Sequence, residues 1–164
     1  MTEPLLLRVA RLCVGLAEVP GPASNPVIMR WAADLRAPAY GDDSVAWCAV
    51  AMNRWMLACN YPLSGTGYDL LRAKSFSTWG QPCEPVQGAV LVFSRPAGYH
   101  VGLYLGERTD AFSVLGGNTG NAVGATWIAR DRLRASRWPS GVSLQLIQRV
   151  FLRDDGQPVS GDEA

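Results

Sequence analysis

Apolar positions in the first half of the chain recur at spacings of three and four, whereas in the second half they crowd into short runs bounded by glycine and proline. The first pattern is that of helices lying on a core, the second that of strands. Over residues 4–17, Leu5, Leu6, Val9, Leu12, Cys13 and Leu16 form a helical stripe that Pro20 and Gly21 terminate. Asn25 before Pro26 reads as a cap with proline at the first helical position, and Val27, Ile28, Trp31 and Leu35 carry a short second helix. Asp42, Asp43 and Ser44 offer caps for a third helix running to about Asn60, with Cys48 in or near its first turn, and residues 68–74 suggest one more short helix. Strands are expected over residues 89–93, 100–105, 112–115, 123–128 and 144–152. Helices first and strands afterwards predict an α+β domain, N-terminal helices packed on a C-terminal antiparallel sheet, over residues 1–152. Residues 153–164, with Asp154, Asp155, Gly156 and Pro158, read as a solvated tail.

Composition narrows the function classes. At 164 residues, 48% hydrophobic and 18% charged, the chain is long enough for one real core and unlike a disordered one. A formal charge of +1 without a dense basic block argues against nucleic acid as a partner. The apolar stretch at residues 5–16 is interrupted by Arg8 and Arg11 and lacks the leader and cleavage site of a signal peptide, and no window approaches the roughly 20 apolar residues of a membrane span. Synthesis in the cytoplasm without a membrane anchor is therefore expected. Cys13, Cys48, Cys59 and Cys83 are widely spread and accompanied by a single histidine, so neither a zinc site nor an obligatory disulfide is expected, and no metal or organic cofactor is called for.

Three residues stand out chemically. A cysteine in the first turn of a helix gains thiolate character from unpaired backbone N–H groups and the helix dipole, which fits Cys48; the alternative is a small packed hydrophobe. Cys13 lies on the apolar stripe, Cys59 at the unfavourable end of its helix, and Cys83 beside Glu84. His100 is the only histidine, so any imidazole base is this residue; the alternative is a hydrogen-bonded structural role. A Cys–His pair needs a group that orients the imidazole, and Asn118 follows Gly116 and Gly117 at the close of the next strand, with Asn121 as rival and an ordinary hairpin turn as the alternative.

The segment DDSVAWCA at residues 42–49, YHVGLYLG at 99–106, LGGNTGNAVG at 115–124 and RWP at 137–139 together resemble the papain-like CHAP amidohydrolases and peptidases of bacterial and phage cell-wall lysis. ASNP at residues 23–26 and FSTWG at 76–80 are similar to the endolysin-like branch of that group, and the resemblance spans most of residues 15–139. The chain departs from that pattern at Ala46, where a proline often stands, and at Thr119, where a glutamine often follows the asparagine. The resemblance implies a papain-like cysteine peptidase or amidase acting on the peptide stem of peptidoglycan, with Cys48 as nucleophile, His100 as base and Asn118 as orienting residue.

The chemistry so implied is attack by a Cys48 thiolate on an amide carbonyl, proton donation by His100 to the leaving amine, and hydrolysis of a thioester. The Cys48 backbone N–H would hold the oxyanion, with Tyr40 as one candidate helper. Trp47 and Tyr99, adjacent to the nucleophile and base, are cleft candidates; Trp55 and Trp127 are assigned to the core. Arg54 and Arg95 default to solvated side chains, with substrate carboxylates as the other possibility. Two rival functions need the same fold: a non-catalytic wall-binding or inhibitor module, and an acyltransferase or deamidase acting on protein. A monomer is expected. The setting would be periplasmic, after release through a phage holin or injection into a competitor, and an immunity protein would be a partner in the second case.

Overall fold

A computed structural model describes residues 2–38, 40–144 and 148–157. Helices α1 (Leu5–Arg11), α2 (Pro26–Asp34) and α3 (Cys48–Ala58) precede strands β1 (Gln81–Pro82), β2 (Val90–Arg95), β3 (Gly98–Glu107), β4 (Ala111–Thr119), β5 (Ala122–Ala129) and β6 (Leu133–Trp138). The strands form one six-stranded sheet in the order β1-β6-β2-β3-β4-β5, each neighbouring pair antiparallel. The fold is therefore α+β, helices then sheet. No helix among the described residues is long and apolar enough to cross a membrane.

Alternation along the strands divides the core between the two faces of the sheet. Val92, Val101, Leu103 and Leu115 face the helices, packing with Trp47 and Met52. Leu91, Phe93, Tyr104, Phe112, Val114 and Ile128 form a second cluster on the other face.

The helices differ from the sequence reading at their ends, for local reasons. The first stops at Arg11 instead of Ala17, because Gly15, at φ +92°, turns the chain onto the edge of β5. There Gly15 N–H donates to the Val123 carbonyl, Val123 N–H to Leu16 and Glu18 N–H to Asn121, which covers the edge strand. Asn25 caps α2 as expected, its side chain accepting from Val27 N–H at 2.8 Å. The third helix begins later than the acidic cap candidates suggest because both are otherwise engaged. Asp42 accepts from Ser44 N–H, and Asp43 accepts from Val19 N–H at 3.0 Å and Asn25 N–H at 2.7 Å. Trp47 becomes the N-cap without a side-chain cap bond. Residues 68–74 are two 3₁₀ turns, Gly67–Leu71 and Ala73–Thr78.

Among the strands, β1 and β6 escape the sequence pattern, since β6 carries polar residues between its inward-facing ones. The strand expected over 144–152 does not join the sheet where it is described; residues 145–147 lie outside the described residues, and Phe151 makes one parallel bridge to Glu107. Of the expected tail, residues 153–157 are exposed and residues 158–164 lie outside the described residues.

That bridge leads to the most heavily bonded carboxylate of the second face. Glu107 is fully buried and accepts from the Tyr104 hydroxyl at 2.9 Å, from Arg149 at 2.7 Å through both oxygens, and from Arg130. Burial pushes its carboxyl upward, but the two guanidiniums and the phenol together hold it at about 2. A depressed carboxyl pKa stabilises the fold above the unfolded value and loses that contribution as pH falls toward the folded one. Stability measured by urea denaturation is therefore expected to fall between about pH 4.5 and pH 2. Glu107→Gln should lower stability at neutral pH by about 1–3 kcal/mol and flatten that acid limb.

Candidate active site

The ladder between β3 and β4 is regular from Glu107–Phe112 back to Leu103–Leu115, apart from one bulge, and is not continued beyond that pair. In an extended strand the N–H and C=O of one residue point to the same neighbour. The Val101 carbonyl lies 3.2 Å from where a Cβ on Gly116 would stand, so the Val101 N–H also faces β4. Among the influences on the Cys48 thiol is this N–H, which favours the charged form of the sulfur.

Local sequence explains why α3 can deliver it there. Gly117 lies under the start of the helix; a Cβ on it would stand 2.5 Å from the Ala51 Cβ and 2.9 Å from the Trp47 ring. Only a glycine lets the helix approach β4 this closely. Cys48 is the first residue of α3 and 4% exposed. Burial pushes its thiol above the ordinary value, against the opposing pull of the Val101 N–H, the Arg95 charge and the N–H groups of Ala49 and Cys48 itself. The expected thiolate character of a helix-start cysteine is thus outweighed by desolvation. Cys13, Cys59 and Cys83 are also pushed up by burial, and all four are free thiols.

His100 precedes Val101 and so leaves the strand on the other face. It pairs with Phe93, a residue of the second cluster, and its Nε2 lies 3.0 Å from the position a Gly116 Cβ would take. The imidazole therefore lies over Gly116 on the face of the sheet away from the helices. It is 6% exposed, and its Nε2 is buried without a hydrogen-bond partner, so no hydrogen bond joins it to Cys48. Burial, then the charges of Arg95 and Arg132, push the imidazole down to about 4.

Asn118 shares a cavity of about 240 Å³ with His100, Arg95, Thr119, Trp127 and Arg132. The register of β3 with β4, carried on from Leu103–Leu115, sets Asn118 across from His100. It also has the left-handed backbone of a turn residue, φ +55°, as does Asn121 at φ +63°. Asn121 does not line this cavity; its carbonyl takes the Glu18 N–H. The Tyr40 hydroxyl donates to the Val45 carbonyl at 3.1 Å, and burial, then the charges of Asp43, Glu18, Asp42 and Cys48, raise its pKa. Tyr40 therefore belongs to the helix-side surroundings of the thiol.

Other assignments are corrected. Trp47 is no cleft residue: it is fully buried, its indole N–H donating to Glu18 at 2.8 Å. Tyr99 is partly buried and lines a separate hollow with Lys74, whose ammonium lies 5.5 Å from its ring, and Arg95. Trp55 is core, but Trp127 is half-buried at the cavity with the Arg108 guanidinium 4.6 Å over its ring. Arg54 pairs with Asp34 at 3.2 Å. Arg132 escaped sequence reading because nothing local marks it; β6 must first pair with β2 to bring it beside Ser94. Among the described residues no cluster of three or more His, Cys, Asp or Glu side chains is arranged to hold a metal.

Comparison of the chain with protein-family models, curated proteins and solved structures gives no match.

Two outcomes follow from this geometry. The single imidazole resonance, followed by NMR against pH, should titrate near 4 instead of the ordinary 6.5; a midpoint above 6 would mean that the ring is solvated. Gly117→Ala should force α3 away from β4, lowering stability by about 1–3 kcal/mol in urea denaturation.

Proposed function

We propose that the protein is a papain-like cysteine hydrolase that cuts an amide bond in the peptide stem of peptidoglycan, with Cys48 as nucleophile, His100 as base and Asn118 orienting the imidazole. The observation that supports the reading is that Cys48, the first residue of α3, comes close to Val101, the residue next to the only histidine. Of the motifs that suggested a cell-wall substrate, residues 99–106 lie on β3 and residues 115–124 run from β4 into β5, whereas ASNP, FSTWG and RWP lie elsewhere in the fold.

The resting pair is neutral, because the thiol is raised and the imidazole lowered. His100 therefore acts first as base: as the Cys48 sulfur attacks the amide carbonyl, the thiol proton passes to the imidazole. The C–N bond breaks as that proton moves to the leaving amine, giving a thioester on Cys48. His100 then takes a proton from water, whose oxygen attacks the thioester, releasing the carboxylic acid and restoring the thiol. The mechanism requires thiol and imidazole to come into contact, and such hydrogen bonds in substrate-free enzymes are often long until substrate binds. The N–H of Cys48, without an intrahelical acceptor at the helix start, is the donor for the oxyanion, and the Tyr40 hydroxyl would join it only by leaving the Val45 carbonyl. The site of action is the periplasm or wall.

Cys48→Ala and His100→Ala should each reduce digestion of purified sacculi by roughly a thousandfold or more, since nucleophile and base work as a unit. Mass spectrometry of the released fragments should show new amine and carboxyl termini within the stem. Parental-level digestion by either variant would remove that residue from the mechanism, while an intact sacculus with the parental protein would favour the wall-binding module. Because neutral His100 is the base, kcat/KM should lose its acid limb only near pH 4. Iodoacetamide should alkylate Cys48 slowly at neutral pH and faster as the pH rises toward the elevated thiol value.

A further inference from the structure

The cavity on the His100 side holds two cations that have no carboxylate partner among the described residues. Arg95 projects from the end of β2, and Arg132 ends the 3₁₀ turn Arg130–Arg132, held by its Nε donating to the Ser94 carbonyl at 2.8 Å. Neither forms an ion pair among the described residues, whereas Arg108, Arg130 and Arg149 on the same side of the molecule each have a carboxylate. No acidic side chain lines the cavity. Three polar atoms there are buried without a partner: Arg95 Nε, His100 Nε2 and Thr119 Oγ1.

Buried donors without acceptors are costly, and structures retain them where a ligand completes the set. A guanidinium presents paired N–H groups in a plane that matches the two oxygens of a carboxylate. The cavity, about 240 Å³, suits a carboxylate and the few atoms that carry it. His100 lines the same cavity, so a carboxylate held there lies beside the proposed base.

We propose that Arg95 and Arg132 form a carboxylate subsite through which the protein selects peptide stems bearing a free acid next to the scissile amide; this rests on the hydrolase reading above. Thr119 adds a hydroxyl donor. The selectivity is electrostatic and directional, so amidation of the acid abolishes it without changing shape.

The test uses binding, which survives loss of turnover. Cys48→Ala protein is titrated by calorimetry with a synthetic stem peptide carrying a free glutamate α-carboxylate and with the same peptide amidated there, the His100 resonance reporting occupancy of the cavity. The free acid should bind at least about tenfold more tightly. Adding Arg95→Gln or Arg132→Gln should bring the two peptides to within about twofold, and Arg95→Lys or Arg132→Lys, which keeps the charge but not the fork, should retain part of the preference. Equal binding of the two peptides, binding of neither, or a preference that survives both glutamine substitutions in correctly folded protein overturns the subsite. Failure of the parental protein to digest sacculi overturns the hydrolase reading instead and leaves the binding comparison standing.

Discussion

One close approach organises the region around Cys48 and His100: the start of α3 packs against β4 beyond Leu103–Leu115, the last paired residues of its ladder with β3. Gly116 and Gly117 make this possible from the β4 side, one leaving room for the His100 ring and the other for α3. His100 and Val101 are successive residues of one strand, so the imidazole lies on the face of the sheet away from α3.

Burial then sets the electrostatics. Both titratable groups are nearly sealed from water, which favours the uncharged form of each. The helix start and the Val101 amide favour a thiolate, but not enough to offset desolvation. Arg95 and Arg132 add to the effect on the imidazole, and a bound anion between them would relieve it. The charge in this cavity and the proton affinity of His100 are in this way coupled.

The N-terminal segment is tied to this arrangement at two points. Asp43, 3% exposed, gathers the Val19 and Asn25 amides, and its own pKa is lowered chiefly by those hydrogen bonds. Glu18 takes the indole N–H of Trp47, the residue before Cys48. The loop between α1 and α2 therefore fixes where α3 begins, a task that a capping side chain at Trp47 does not perform.

Local patterns determined a good part of this molecule by themselves. The three- and four-residue spacing, the Asn25–Pro26 cap and the alternating runs define helices followed by an antiparallel sheet, because such signals act within a few residues. They also single out Cys48 by its helix start and His100 by being the only imidazole. Tertiary structure decided whatever depends on distant segments meeting. Polar β6 becomes a strand only against β2, Asp43 leaves its capping role for amides 24 and 18 residues away, and Arg132 reaches the cavity only once β6 is placed. The charge state of Cys48 also belongs to this second group: spacing reveals the helix dipole that acidifies a thiol, while the desolvation that outweighs it exists only after the sheet has packed against the helix.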